Sequence, residues 1–140
     1  MRLKRKFFIQ PTLASAKNLL GKYLVREYRG KKIIGKIVET EAYIGPKDKA
    51  SHAYGGKKTA RNHAEYLQGG HIYIYLVYGM HWQLNISTYK EGEPECVLIR
   101  AVEPKSKIKN LANGPGKLCQ YFKLDKSFYG EDVVESSRIW

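Results

Sequence analysis

Five runs of apolar residues, alternating or continuous and separated by turn residues, organise the chain. They occupy residues 22–28, 32–43, 71–78, 81–89 and 95–102. Runs of this length that are rich in Val, Ile and Tyr predict β-strands. Arg29-Gly30 predicts a hairpin between the first two strands, and Gly79-Met80 lies within a second hairpin between the third and fourth.

Two helices are predicted outside these strands. The first begins at Pro11, with Thr12 as its N-cap and Gly21 as its stop. The second spans about residues 113–121 and begins at the sequence Asn-Gly-Pro, which places proline in the first turn.

The segment between the second and third strands, residues 44–70, is rich in Gly, Lys, Asp, Asn and His. This composition predicts a long functional loop, with a short helix near residues 61–67. The basic segment 105–110 is predicted to be an exposed loop. Together these elements predict an α+β fold: a single domain, residues 1–140, with a mostly antiparallel curved β-sheet, flanking helices and a protruding aromatic β-hairpin.

The charge of the chain points to a polyanionic partner. Its 140 residues include 25 Lys and Arg against 13 Asp and Glu, a formal net charge of +12. A charge of this size favours nucleic acid first and an anionic membrane second, with an ordinary basic soluble protein as the open alternative. The 11 tyrosines add flat faces on which bases could stack.

Neither a membrane nor a secreted location is indicated. The longest apolar stretch, residues 72–80, is too short to span a bilayer. The basic N-terminus lacks the apolar core of a signal peptide. Cys96 and Cys119 are far apart and form no CxxC motif, which suits a reducing compartment. We therefore expect an intracellular protein with no membrane partner, in the cytoplasm or nucleoid of a bacterium or the nucleus of a eukaryote.

The sequence contains none of the short motifs that commonly mark a metal or nucleotide cofactor. GxxxxGK[ST], HExxH and a GxGxxG after a strand are missing, as is the GxSxG nucleophile motif. The 4 histidines have no cysteine partners and no compact ligand spacing, so zinc is not expected. We expect a protein without a metal or a cofactor.

An acidic strand and an arginine are the first candidates for chemistry. Alternate side chains of a strand share a face, so Glu39, Glu41 and Tyr43 point the same way. A carboxylate beside an aromatic ring suits a site where a ring stacks and a water is activated; the alternative is an exposed acidic face with a packed tyrosine. Arg100 lies among apolar residues of a buried strand and needs Glu39, Glu41 or an anionic ligand as its partner. A purely structural ion pair is compatible with the same pattern.

The second hairpin carries an unusual cluster at its tip, consisting of Tyr78, Met80, His81 and Trp82. Turns of soluble proteins usually hold small polar residues. An exposed aromatic tip indicates a wedge that enters between base pairs or into a partner, and a buried corner of the core is the alternative.

The register of this hairpin decides whether Tyr75 and Asn85 can line one pocket. A two-residue turn that pairs Tyr78 with His81 would place them on opposite faces. A three-residue connection would pair Tyr78 with Trp82 and Tyr75 with Asn85. We predict this odd-length connection or an equivalent bulge.

Four blocks of the sequence resemble motifs of the alkyladenine (3-methyladenine) DNA glycosylase family. They are VETEAYIGPKDKASHAYGG, YIYLVYGMHWQLNIS, VLIRAVEP and NGPGKLCQ, in the family's order. The resemblance extends from about residue 8 to about residue 132. It implies a DNA repair enzyme that flips an alkylated or deaminated purine out of duplex DNA and hydrolyses its bond to the sugar.

The resemblance also implies roles for the matching residues. Glu41 resembles the general base that deprotonates the attacking water, and Arg100 resembles the residue that helps to orient it. Tyr43, His52 and Tyr75 resemble the walls that stack around the flipped base.

Further roles concern specificity and DNA contact. Asn85 resembles the residue that disfavours guanine by crowding its exocyclic amine. Tyr78, with Met80 beside it, resembles the wedge that fills the vacated space in the duplex. Contacts with the DNA backbone are implied for Lys57, Arg61 and Lys117.

The chemistry agrees with these roles. A base inside a duplex cannot present its glycosidic carbon to water, so the enzyme must flip it. N-alkylated purines carry a positive charge, which attracts them to aromatic faces and makes them good leaving groups. No lysine matches a Schiff-base role, so the resemblance implies a monofunctional enzyme without lyase activity. The expected partner is double-stranded DNA with damaged purines, and the expected state is a monomer.

Two other functions stay open. Domains of the family usually continue beyond the last residue of this chain, so we expect the family's C-terminal segment to be lacking. A damaged-DNA-binding module that has lost hydrolysis would fit that expectation, although the presence of both Glu41 and Arg100 argues against it. A basic protein-interaction domain is the second alternative. Steep weakening of binding by salt would indicate phosphate contacts and oppose this last reading.

Overall fold

The computed structural model describes residues 2–105 and 112–140. The strands are β1 (Tyr23–Tyr28), β2 (Lys31–Ile44), β3 (Ile72–Val77), β4 (His81–Ser87) and β5 (Glu95–Pro104). They form one antiparallel sheet in the order β1-β2-β5-β4-β3. The α-helices in the same residues are α1 (Arg5–Phe8), α2 (Thr12–Leu19) and α3 (Pro115–Tyr121). The predicted α+β class, an antiparallel sheet with flanking helices, is confirmed.

The turn between β1 and β2 is the predicted one. Arg29 (φ 51°) and Gly30 (φ 76°) both have positive φ, and Tyr28 pairs with Lys31 across them. Two residues with positive φ are typical of the type I′ turn, whose twist matches that of the flanking strands.

Helix α2 agrees with its prediction except at its start. Gly21 follows the helix with a positive φ of 86°, as expected of a terminating glycine. Thr12 is not the N-cap, contrary to the prediction, because Pro11 occupies that position. The Thr12 hydroxyl instead pairs with the Thr88 hydroxyl at 2.8 Å and donates to Glu95 at 2.7 Å. A contact with a distant strand has replaced the local cap.

The hairpin β3–β4 turns through a three-residue connection, residues 78–80. The predicted odd length is confirmed, and Tyr75 and Asn85 therefore share a face. The predicted pairing of these two residues is wrong by two positions, since Tyr75 pairs with Gln83 and Tyr73 with Asn85. The connection begins one residue earlier than predicted, at Tyr78. This residue has a left-handed φ of 53° and therefore does not continue the strand.

The two faces of the sheet differ in character. Residues directly opposite each other in antiparallel strands share a face. One row of apolar side chains crosses the sheet at Ile72, Ile86 and Val97, and it belongs to the core that also contains residues of α2 and α3. The neighbouring row on the other face consists of Tyr73, Asn85, Leu98 and Glu41. This second face carries the polar and aromatic groups.

The segment between β2 and β3 covers the second face. It contains single-turn 3₁₀ helices at Gly45–Lys47, Tyr54–Gly56 and His63–Tyr66, the last of which is the short helix predicted near residues 61–67. Ala64 packs with Tyr73 and Cys96 of the sheet. Of the loop predicted at 105–110, residues 106–110 lie outside the described residues.

None of the helices described above reaches the length and hydrophobicity needed to cross a lipid bilayer.

Candidate active site

Glu41 is held from two sides. Its Oε1 lies 2.7 Å from Nη1 of Arg100, and its Oε2 accepts a hydrogen bond of 2.7 Å from the Tyr43 hydroxyl. Nε of Arg100 also lies 3.6 Å from a carboxylate oxygen of Glu39. The predictions that the two carboxylates and Tyr43 share a face, and that Arg100 pairs with them, are confirmed.

Arg100 is not buried, contrary to the expectation drawn from its apolar neighbours. Its side chain is 42% exposed, although the residues before and after it in β5 are buried. The register between β2 and β5 shifts on both sides of Glu39. Irregularities of this kind redirect side chains beside functional sites. The guanidinium group therefore meets Glu41 while it remains in contact with solvent.

The Glu41 carboxylate is charged at neutral pH. Burial acts to raise its pKa, but the hydrogen bonds from Tyr43 and Arg100 and the charge of Arg100 outweigh burial, so the pKa lies below its ordinary value. Burial and the adjacent Glu41 carboxylate raise the pKa of Tyr43, which therefore keeps its proton and remains a donor. Because 38% of the Glu41 side chain is exposed, water can reach this charged acceptor.

An aromatic pocket adjoins Glu41. The side chains predicted to contact a base come from three strands and the loop after β2, and they line one cavity of about 60 Å³: Tyr43, His52, Tyr75 and Asn85. The ring centroids of His52 and Tyr75 are 4.6 Å apart. Tyr43 links the cavity to the carboxylate because it lines the one and donates to the other.

Further residues of the pocket were missed by the sequence analysis: Ala50, Glu65, Tyr73 and Cys96. The Tyr73 hydroxyl lies 2.6 Å from Nδ1 of His52 and orients that ring. Tyr73 could have been found from Tyr75, because residues two apart in a strand share a face. The two loop residues carried no local signal, since only the packing of the loop on the sheet brings them there.

Glu65 is the unexpected member of the pocket, because the residue is only 1% exposed. The Cys96 thiol donates to its Oε1 at 3.6 Å, and the same thiol lies 3.7 Å from Oδ1 of Asn85. Burial raises the pKa of Glu65 to about 7, against smaller opposing effects of Cys96 and Asn62. Near neutral pH the carboxyl group is therefore partly ionised.

His52 stays neutral at neutral pH. His52 is exposed as a residue, but partial desolvation of its ring and the positive charges of Arg61 and Lys57 lower its pKa below the ordinary value. A neutral imidazole does not repel a cationic ligand in the pocket, and its flat ring remains available for stacking.

The predicted phosphate-contacting residues Lys57, Arg61 and Lys117 are all exposed, and the first two lie beside the pocket. The Arg61 guanidinium lies 5.5 Å from the centroid of the Tyr75 ring and donates to a β3 carbonyl at 3.0 Å. Lys57 is close enough to His52 for its charge to act there. Lys117 follows Gly116 of α3, where the backbone approaches the His81 side chain at the start of β4. Their contact with DNA stays a prediction.

The tip of the β3–β4 hairpin projects into solvent. Tyr78 is 91% exposed and Met80 is 69% exposed. This exposure excludes the alternative of a buried corner of the core. The backbone of Tyr78 is left-handed (φ 53°), which is uncommon for a residue with a bulky side chain and costs about 1 kcal/mol or more.

The chemical capacity of the site follows from these groups. A charged carboxylate that water can reach is able to accept a proton or to stabilise a nearby positive charge. The pocket beside it offers aromatic faces, and its lining residues include no lysine that could form a Schiff base. Across residues 2–105 and 112–140, no three His, Cys, Asp or Glu side chains are grouped so as to hold a metal ion.

Comparison with known proteins agrees with the motifs. The family model described as Methylpurine-DNA glycosylase (MPG) matches residues 6–140. A Clostridioides difficile (strain 630) protein is 45% identical over 152 residues, which cover 94% of this chain and 75% of its own length. A Natranaerobius thermophilus protein is 44% identical over 154 residues, which cover 100% of this chain and 78% of the relative. A Desulfitobacterium hafniense (strain Y51) protein is 46% identical over 155 residues, which cover 96% of this chain and 76% of the relative. All three carry the name "Putative 3-methyladenine DNA glycosylase". The resemblance in the four sequence blocks is confirmed, and the chain belongs to the methylpurine-DNA glycosylase family.

Proposed function

We propose that this protein is a DNA repair glycosylase, which flips an alkylated or deaminated purine out of duplex DNA and hydrolyses its N-glycosidic bond to leave an abasic site. The observation that carries the proposal is the position of Glu41, a charged carboxylate held by Tyr43 and Arg100 beside an aromatic pocket. Family membership and the names of the relatives support the same activity.

The pocket binds the flipped base by stacking. Tyr43, His52 and Tyr75 provide aromatic faces, and an N-alkylated purine with its positive charge is attracted to such faces by cation–π interaction. Asn85 lines the cavity and is only 1% exposed. The exocyclic amine of guanine would crowd this amide, so the pocket disfavours guanine.

Hydrolysis proceeds with Glu41 as the general base. As the bond to the base breaks, the base leaves with the bonding electron pair and the Glu41 charge stabilises the positive charge that develops on the sugar. The water oxygen then bonds to the anomeric carbon, and its proton passes to the Glu41 carboxylate. Arg100 fixes one carboxylate oxygen and Tyr43 fixes the other, so the orientation of the group is set before the substrate arrives. Because water is the nucleophile, the enzyme is monofunctional and leaves the DNA strand intact.

Binding to the duplex uses the charge of the chain and the tip of the hairpin. The net charge of +12 attracts the phosphate backbone, with Lys57 and Arg61 as the contacts beside the pocket and Lys117 of α3 as a contact on the side of His81. Tyr78 enters the gap that the flipped base leaves, and stacking there offsets part of the cost of flipping. We propose that the protein acts on double-stranded DNA as a monomer.

The proposal is tested by single-turnover excision from a duplex that carries one hypoxanthine or one ethenoadenine. Alkali converts each abasic site into a strand break, which a denaturing gel resolves. We expect breaks that depend on the lesion and on alkali. Breaks before alkali treatment would contradict the monofunctional mechanism. Lesion-dependent binding without any excision would instead identify a binding module that has lost hydrolysis.

A Tyr78→Ala variant is expected to reduce the affinity for a lesion duplex by about tenfold to a hundredfold, since stacking on one base contributes about 1–3 kcal/mol. Fluorescence anisotropy with the wild type and the variant measures this change. Tyr23→Ala is the matched control, because Tyr23 is also an exposed tyrosine (56%) but lies on β1, at the opposite edge of the sheet from β3. Equal affinities of the two variants would exclude Tyr78 as the wedge.

A further inference from the structure

The pocket contains a second carboxyl group, separate from Glu41, that the proposed hydrolysis does not use. Glu65 lies in the 3₁₀ helix His63–Tyr66, which packs on the polar face of the sheet, and it lines the cavity with Tyr43, His52 and Tyr75. Glu41 is 38% exposed at its side chain, whereas Glu65 is 1% exposed as a residue. The two carboxyl groups therefore occupy different environments.

The Glu65 carboxyl group is poorly satisfied. The Cys96 thiol is a weak donor to Oε1, and Oε2 has no donor in hydrogen-bonding geometry among the residues that the structure describes, although the nearby Asn62 side chain acts to lower the pKa of the carboxyl group. The amide Nδ2 of Asn85, which lines the same pocket, is buried and equally without a partner in the described part of the chain. Unpaired groups of this kind are costly in an interior and mark places where a ligand completes the hydrogen bonding.

A cation is the ligand that compensates a buried carboxylate best. No lysine or arginine forms an ion pair with Glu65 within the described residues, whose ion pairs all lie elsewhere. The cavity walls are aromatic, so the cation that fits must be flat and able to stack. A purine alkylated at a ring nitrogen is flat, carries a delocalised positive charge and, in the adenine series, has N–H donors on its exocyclic amine.

We propose that Glu65 is a specificity-determining residue, whose carboxylate makes the pocket prefer purines with a fixed positive charge over neutral purines of the same shape. This inference rests on the proposed glycosylase function. It assigns to Glu65 a charge selection that adds to the cation–π attraction of the aromatic walls, which also stack with neutral bases. The carboxylate stabilises the bound cationic base, so its contribution belongs to lesion binding.

The test compares two duplexes that differ only in the charge of the lesion. One carries 3-methyladenine and the other carries 3-methyl-3-deazaadenine, a neutral base of the same shape, both on 2′-fluorinated sugars that resist hydrolysis. Dissociation constants are measured at pH 8 by fluorescence anisotropy. We expect the wild type to bind the cationic lesion at least tenfold more tightly, and Glu65→Gln to reduce this ratio about tenfold.

Three further variants make the result specific. Glu65→Met replaces the carboxyl group by an apolar side chain. It takes the place of Glu65→Gln in the test if circular dichroism shows that Glu65→Gln does not fold. Glu65→Asp keeps a carboxylate and is expected to restore part of the preference. Glu91→Gln neutralises an exposed carboxylate in the turn after β4 and is expected to leave the ratio unchanged.

The outcomes separate this inference from the proposal beneath it. Tight binding of both lesions with a ratio that Glu65→Gln and Glu65→Met leave unchanged would overturn charge selection by Glu65 and leave the glycosylase proposal intact. Binding of neither lesion above the level of undamaged duplex would overturn both. A ratio that falls in both variants and is partly restored in Glu65→Asp supports the inference.

Discussion

In a Glu41→Gln variant, the single-turnover rate of base excision is expected to fall by about 10²–10⁴-fold, the usual contribution of a general base. Glutamine has nearly the same shape as glutamate, and its amide can still meet Tyr43 or Arg100. It carries no negative charge, however, and cannot take a proton from water. The rate of the chemical step is measured in time courses with a hypoxanthine duplex and with enzyme in excess over DNA, by quenched flow or by manual sampling.

Glu39→Gln is the matched control for this measurement. Glu39 is a neighbouring carboxylate on the same strand, 3.6 Å from Nε of Arg100. It is not the partner of Tyr43, whose hydroxyl donates to Glu41. We expect Glu39→Gln to reduce the rate less than tenfold. Similar losses in both variants would show that the total negative charge near Arg100 matters and would remove the specific role of Glu41.

The second large effect concerns stability. The folded-state pKa of Glu65 is about 7, above its ordinary value of 4.5, so the folded protein holds this proton more tightly than the unfolded chain. The stability from this group is fully present below pH 4.5 and is lost as the pH rises through about 7. A shift of this size corresponds to about 3 kcal/mol of the free energy of unfolding.

Urea denaturation of the wild type and Glu65→Gln at pH 5, 6, 7 and 8 isolates this contribution. Other groups contribute to the pH dependence, among them His52, whose lowered pKa acts in the opposite direction, so that its contribution to stability increases as the pH rises. The difference between the free energies of unfolding of the two proteins cancels these contributions, because both proteins contain the same other groups. We expect Glu65→Gln to gain stability relative to the wild type as the pH rises. If the free energies of unfolding of the two proteins changed in parallel between pH 5 and pH 8, this result would contradict the raised pKa of Glu65.

The alternation of residues along the strands determined much of the candidate site in advance. Glu39, Glu41 and Tyr43 are two apart in one strand, and such residues ordinarily share a face. Their contacts with Arg100 and with one another agree, despite the irregular pairing beside Glu39. The odd length of the second hairpin connection followed from the same rule once Tyr75 and Asn85 were required to share a pocket. These features depend on neighbours in sequence, so local geometry was enough.

The positions that sequence reasoning misjudged depend on contacts between distant segments. Thr12 meets Thr88 and Glu95, which lie in another part of the chain, and therefore does not cap its own helix. Arg100 is half exposed because the pairing of β2 with β5 is irregular beside it. Neither contact leaves a periodic trace in the sequence.

By itself the sequence determined the strands, the aromatic tip, the family and the pairing of Arg100 with an acidic strand. Only the tertiary structure decided the exact register of the second hairpin and the burial of Glu65. The physical reason is the same for both. Contacts between residues far apart in the chain decide at which residue the turn begins, and they also decide how the polar loop packs against the sheet. Local preferences do not distinguish a loop glutamate in solvent from one enclosed in a pocket.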